Sequence, residues 1–277
     1  MGLRVATNPQ SLAAQRNLGI NTSAQRTSLE KLASGSRIVR AADDAAGLAI
    51  AEKMRGSIRS LRQGIRNASD GVSMIQTAEG SMNEVGNILV RMRELSMQAA
   101  SDTVGDVERG FIDKEVQQLH MEVDRIANSS EYNGTKLGNG SGGLLEFQIG
   151  IFNRPSEDRF QFDTQKLNIT SDALGINGIN TASKEGAQSN LDTVDKAIST
   201  LMSNRSELGA LQNRLQSAIN NMQIYDENLS NAKSRIYDVD VAVETSELTK
   251  QNILSAAGVS VLSQANQNNM LALKLIG

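Results

Sequence analysis

The residues able to do chemistry in this chain are few, and their scarcity is informative. His120 is the only histidine and there is no cysteine, so paired-histidine zinc sites, thiolate metal sites and disulfides are all ruled out, and no histidine-based nucleophile triad is expected. His120 stands beside an apolar seam position, Leu119, and reads as a surface histidine. Asp43 and Asp44 form an adjacent carboxylate pair. Neighbouring side chains at the start of a helix point apart, however, so one of them reads as a helix cap and the pair does not read as an acid–base couple. The glycine-rich run Gly138 to Gly143 has neither the lysine nor the following helix of a phosphate-binding loop. No catalytic centre, no cofactor and no metal is expected, and the chain is not expected to be an enzyme.

What the chain has in abundance is helical periodicity. From Met54 the apolar residues Ile58, Leu61, Ile65, Ala68, Val72 and Ile75 alternate at spacings of four and three. After a local stammer near Ile75 the alternation resumes through Met82, Val85, Leu89 and Met92, and a further spacing of three reaches Leu95. Such a stripe predicts one helix from about Asp44 to Ala100, ~85 Å long at about 1.5 Å per residue. Gly47, Gly56, Gly64, Gly71, Gly80 and Gly86 fall within it but off the stripe. They read either as tolerated surface glycines or as points of close backbone approach in an assembly.

Elements before and after this helix supply its partners. Asn8-Pro9 predicts the start of a helix that runs to about Ser34, with Leu12, Leu18, Leu29 and Leu32 as a sparse stripe too thin to stand alone. Thr103 to Asp106 has the shape of a capping box opening a helix to about Asn128, with Ile112, Val116, Leu119, Val123 and Ile126 on its seam. Ser189 to Asp192 repeats that shape before a third long helix, whose seam runs from Leu208 through Leu215, Met222 and Tyr225 to Ile236, ending near Val239. The last thirty or so residues, with Leu248, Ile253, Leu254, Val259, Val261, Leu262, Leu271 and Leu275, are the most apolar of the chain and require a partner. Between Leu144 and Thr170 the period drops to two: Leu145, Phe147 and Ile149, then Phe160 and Phe162, predict short strands, with Lys166 to Thr170 as a third, forming a local cap.

Composition agrees with a helical seam and with no thick globular core. Aromatics are 3% of 277 residues and tryptophan is absent. With Lys+Arg 28 against Asp+Glu 31 there is no basic footprint for nucleic acid, and no segment approaches the ~18 apolar residues of a membrane span. The expected fold class is therefore mainly α: a long antiparallel helical coiled-coil bundle with a small β-hairpin or sheet region, the chain going out and coming back.

Four stretches resemble bacterial flagellin: Ser34-Gly-Ser-Arg-Ile-Val-Arg-Ala-Ala-Asp-Asp-Ala-Ala-Gly-Leu-Ala-Ile50, Arg66-Asn-Ala-Ser-Asp-Gly-Val-Ser-Met-Ile-Gln-Thr-Ala-Glu-Gly80, Glu131-Tyr-Asn-Gly-Thr-Lys-Leu137 and Val261-Leu-Ser-Gln-Ala-Asn-Gln267. The resemblance implies a structural subunit that polymerises into the helical flagellar filament, a homo-oligomer of many copies located outside the cell on the flagellum. It also implies export in an unfolded state by the flagellar type III apparatus, with an export chaperone, the filament cap and hook-junction proteins as partners. Residues 1–40 with 240–277 would be the terminal inner-core helices, and 41–239 the outer-core rod carrying the β region at about 144–170. Polymerisation contacts would then fall on Leu12, Leu18, Leu29, Leu262, Leu271 and Leu275.

Leu89-Val-Arg-Met-Arg-Glu-Leu-Ser-Met-Gln98 resembles the family's site for a host innate immune receptor of the Toll-like class. Arg91, Leu95 and Glu115 would be its contacts, and the pattern departs at Val90, where stimulatory members carry glutamine. A hook–filament junction protein, which shares the two-ended helical plan, is the alternative. A flagellin with an inserted metalloprotease is excluded by the missing zinc motif.

Overall fold

The computed structural model describes residues 7–274. It is mainly α-helical, with two small antiparallel strand pairs. In chain order the elements are α1 (Pro9–Ser34), α2 (Ala45–Ala99), α3 (Asp106–Ser129), β1 (Glu131–Tyr132), β2 (Thr135–Lys136), β3 (Leu144–Gln148), α4 (Pro155–Asp158), β4 (Arg159–Asp163), α5 (Ser171–Leu174), α6 (Lys184–Tyr237) and α7 (Val241–Lys274). The chain divides into two compact units, one made of the residues up to Gly56 and from Asn228 onward, the other of Ser57–Glu227.

In the Ser57–Glu227 unit, α2 and α6 run antiparallel. Arg93 pairs with Asp195 at 2.6 Å and Arg62 with Asp226 at 3.0 Å. The α6 seam follows a strict seven-residue spacing through Ala187, Val194, Leu201, Leu208, Leu215 and Met222, all buried, the signature of helices packed side by side. The expected seam began only at Leu208 and included Tyr225, which is 45% exposed; Ile219 is buried near that end of the seam. On α2 the residues Ile58, Leu61, Ala68, Ile75, Ala78, Met82, Val85, Leu89, Met92 and Leu95 are buried as expected. Met54, Ile65 and Val72 are only half-buried, whereas Gly64, Gly71 and Gly86 are buried.

Gly64 and Gly71 fit neither reading offered for the glycines, a tolerated surface position or a close approach between copies. β3 and β4 form a hairpin in the register Leu144↔Asp163 to Gln148↔Arg159, and it lies along the flank of α2. A Cβ on Gly64 would sit 2.2 Å from the Ile149 carbonyl oxygen, and one on Gly71 would lie 3.4 Å from the Phe147 ring. Asn67 Nδ2 donates to the Gln148 carbonyl at 2.8 Å. Close backbone approach is thus real, but it occurs inside one chain.

Both expected capping boxes fail. α3 begins after Gly105 with no side-chain cap, while the Thr103 hydroxyl bonds Ser101. α6 begins at Lys184, with the Ser183 hydroxyl accepting from Gly186 N–H, so Ser189 and Asp192 lie within the helix. Lys166 to Thr170 is not a strand; Ile169 N–H bonds the Gly138 carbonyl in an irregular segment. The turn at Asn133-Gly134 instead joins a two-residue strand pair, β1 and β2. Asp44 is the cap of α2, accepting from Gly47 N–H at 2.7 Å. Asp43 folds the preceding turn by accepting from Val39 and Arg40 N–H groups.

A polar stripe on α3 docks the segment that leads into α6. Asp124 accepts from the Ser171 N–H and hydroxyl, Gln117 donates to the Ile179 carbonyl, and Asp113 accepts from the Thr181 N–H and hydroxyl. His120 belongs to this stripe through a 3.2 Å contact with Asn177 Oδ1. These side chains recur at spacings of four, three and four, so one face of a single helix holds the segment while Ile169, Ile176 and Ile179 bury beneath it.

Candidate functional site

Two surfaces carry the candidate residues. The first is the α1–α7 pair. The two helices run antiparallel, joined by Asn8 Nδ2 to the Ala265 carbonyl at 2.9 Å, the Ser11 hydroxyl to Asn266 at 3.0 Å and Gln25 to Asn252 at 2.6 Å. Lys31 approaches Glu244 at 3.9 Å. The Asn8 side chain also caps α1 through Ser11 N–H, and Pro9 occupies the first turn, where its missing N–H is not needed.

The side chains buried on this pair are small or polar: Ser11, Ala14, Ser28, Gln251 and Ala265. Most of the large apolar side chains point the other way, with Leu18, Leu32, Leu248 and Leu262 half-buried. Leu12 is 58% exposed, Ile20 60%, Ile253 64% and Met270 66%; Leu29, Val241, Val243, Leu254, Val259 and Val261 are exposed as well. Helices that keep polar groups between them and oil on the outside invert the usual amphipathic arrangement.

Among the expected polymerisation residues, Leu12 and Leu29 are exposed. Leu18 and Leu262 are half-buried, and Leu18 approaches Gly258. Leu275 and the side chain of Leu271 lie outside the described residues. Ile20, Val241 and Val243 are exposed apolar positions that sequence reasoning passed over. Their signal was available, since α1 and α7 lack a coherent apolar stripe to turn inward.

The second surface lies where α2 and α3 run side by side. Arg91 donates to Glu115 Oε1 from Nε at 3.1 Å and from Nη2 at 2.9 Å, and to Glu94 from Nη1 at 3.1 Å. These hydrogen bonds, that to Glu115 first, raise the Arg91 pKa above the ordinary guanidinium value. Arg91 and Glu115 are therefore brought together at the surface.

Leu95 is not with them. It is 2% exposed, within the seam of α2, which corrects its reading as a surface contact: it packs the helix that carries Arg91. Val90 and Met97 are exposed on α2, and Val107, Phe111 and Met121 on α3. The α3 residues fall off its heptad seam, a sign that periodicity alone had offered and that was passed over.

Among the described residues no group of three or more His, Cys, Asp or Glu could hold a metal ion, and no helix is long and apolar enough to cross a membrane. The chain matches two family descriptions, the bacterial flagellin N-terminal helical region over residues 5–142 and the bacterial flagellin C-terminal helical region over residues 191–275. It is 41% identical over 269 residues to a flagellin of Halalkalibacterium halodurans, covering 97% of this chain and 98% of that one. It is 40% identical over 309 residues to a flagellin of Bacillus subtilis, covering 99% and 100%. Among solved structures it is similar to the crystal structure of Bacillus cereus flagellin, at 28% identity and a TM-score of 0.51 over 57% of this chain and 88% of that chain.

Proposed function

The chain belongs to the bacterial flagellin family, and from that premise we propose that the outward apolar faces of α1 and α7 are what join one copy to the next. The protein is a structural subunit of the flagellar filament and not an enzyme. The observation that carries the proposal is the inversion on the helix pair: Leu12, Ile20, Ile253 and Val261 face outward while Ser11, Ser28 and Gln251 are buried. Exposed apolar area costs roughly 25 cal/mol per Å² until something covers it. In a polymer whose contacts do not close on themselves, further copies provide that cover and the fibre grows.

The terminal helices, 1–40 and 240–277, form the inner core in this reading and 41–239 the outer core. The same thin, polar pairing gives the isolated α1–α7 pair little stability, which suits a chain that is exported unfolded through the flagellar type III apparatus and orders on assembly. An export chaperone, the filament cap and the hook-junction proteins are the partners this reading implies. Arg91 and Glu115 are the contacts proposed for a host innate immune receptor, supported by their exposure and pairing on adjacent helices. Seeding purified protein with short filament fragments tests the reading. It predicts long filaments and a rise in helix content by circular dichroism; failure to elongate, or equal helicity before and after, contradicts it.

A further inference from the structure

Asn177 is held in an unusual setting. It precedes Gly178, whose φ is +80°, in a turn pinned on either side by Ile176, fully buried, and Ile179, 5% exposed. Its side-chain amide has one orientation. The Asp172 carboxylate only accepts hydrogen bonds, so Nδ2 must face it. That turns Oδ1 toward His120 Nε2, 3.2 Å away, and assigns the imidazole proton of that nitrogen to the contact.

We propose that Asn177 is a self-modifying residue, in which His120 and Asp172 promote conversion of the side-chain amide to a carboxylate. The Gly178 backbone nitrogen attacks Asn177 Cγ. The N–Cγ bond forms, the Cγ–Nδ2 bond breaks, and Nδ2 leaves as ammonia carrying the proton lost from the Gly178 N–H. Water then opens the cyclic imide to aspartate or isoaspartate.

Each neighbour has a role in that step. Negative charge develops on Oδ1 as Cγ becomes tetrahedral, and the His120 N–H points at that oxygen. The Asp172 carboxylate, accepting from Nδ2, holds the amide with its Oδ1 toward His120. Glycine at 178 has no Cβ to shield its nitrogen. The chain's two other Asn-Gly pairs lack these groups: Asn139 is engaged only by Ser141 and Asn128, and Asn133 sits at φ +49° in the β1–β2 turn. The product places a second carboxylate beside Asp172 and removes the donor that Asp172 uses, which loosens the docking of this segment on α3.

The test is peptide mapping by mass spectrometry of the purified full-length protein aged at neutral pH, folded and in denaturant. In denaturant the three Asn-Gly pairs report only their local sequence. The proposal expects Asn177 to convert faster in the folded protein than in denaturant, and Asn133 and Asn139 not to. His120→Ala should slow the folded-state rate by ~10-fold or more, less than the ~100-fold lost with a donor in a water-excluded oxyanion hole because this contact is exposed, and His120→Gln should restore part of it. Slower conversion of Asn177 in the folded protein than in denaturant, or a His120→Ala rate equal to that of the parent, overturns the proposal. The comparison in denaturant decides even if the variant folds poorly.

Discussion

Gly64 and Ile149 meet so closely that a Cβ on the glycine would lie 2.2 Å from the isoleucine carbonyl oxygen. Since that oxygen is backbone, it cannot step aside without moving the β3–β4 hairpin off α2. Gly64→Ala should therefore cost about 2–3 kcal/mol despite the gain in helix propensity. Gly80→Ala, where nothing lies within 4 Å, should instead stabilise by about 0.5–1 kcal/mol. Denaturant unfolding of the two variants should shift in opposite directions, and a shared sign would refute the close-approach argument.

Arg109 makes a second prediction. It is 7% exposed and donates to the Ala99 and Ser101 carbonyls, at the end of α2 and just past it, as well as to Asp106. Positive charge there suits the helix dipole, and the Ser101 carbonyl also accepts from the Val104 N–H at 3.3 Å. Arg109→Met keeps much of the bulk and should cost roughly 1–3 kcal/mol. Hydrogen exchange in the last turn of α2 should quicken selectively; unchanged protection there would mean that water replaces the guanidinium at no cost.

Acid stability follows from the carboxylates that titrate low. Asp43 lies below the ordinary carboxylate range because the Arg40 and Val39 N–H groups donate to it; Asp102 does so because of Lys184, and Asp195 because of Arg93. A folded pKa below the unfolded one means that the unfolded chain takes up protons first. The stabilisation is complete above the unfolded value and is lost as pH falls through the folded values. The unfolding midpoint should thus be flat down to about pH 5 and fall below it. Asp102→Asn and Asp195→Asn should flatten that fall, and an unchanged acid slope in the double variant would show that these pairs contribute nothing to it.

Arg91 separates contact from stability. Its ion pair with Glu115 is about half exposed on both sides, so Arg91→Ala should change stability by less than about 1 kcal/mol. If the side chain touches a host receptor, a reporter-cell assay should nevertheless lose response at matched dose. Equal dose curves for variant and parent would remove that role.

Most of the helical plan was legible because it is written in spacing. The seam from Ile58 to Leu95 and the helix starts at Asn8-Pro9 and Asp44 follow from local periodicity and capping. What was not legible depends on contacts distant in sequence. Gly64 and Gly71 look like surface glycines until the hairpin is laid against them, and Tyr225 fits the periodicity yet is 45% exposed. Thr103 and Ser189 carry the residue types of a capping box, but Gly105 and Ser183 are where the chain enters the helices. Leu95 was misassigned for a related reason, since a motif carried by resemblance does not distinguish its exposed members from its buried ones.

The central claim is that the apolar residues turned outward on α1 and α7 serve assembly and not the fold of the subunit. The direct measurement is filament length by electron microscopy in seeded growth, comparing the parent with Leu12→Asp/Ile253→Asp and with Leu61→Asp. Leu61 is 3% exposed in the α2 seam, and burying a charge there should cost roughly 4 kcal/mol or more and unfold its unit. The outward pair should leave the far-ultraviolet spectrum of the monomer unchanged and abolish elongation. Filaments of parental length from the Leu12→Asp/Ile253→Asp protein would contradict the account.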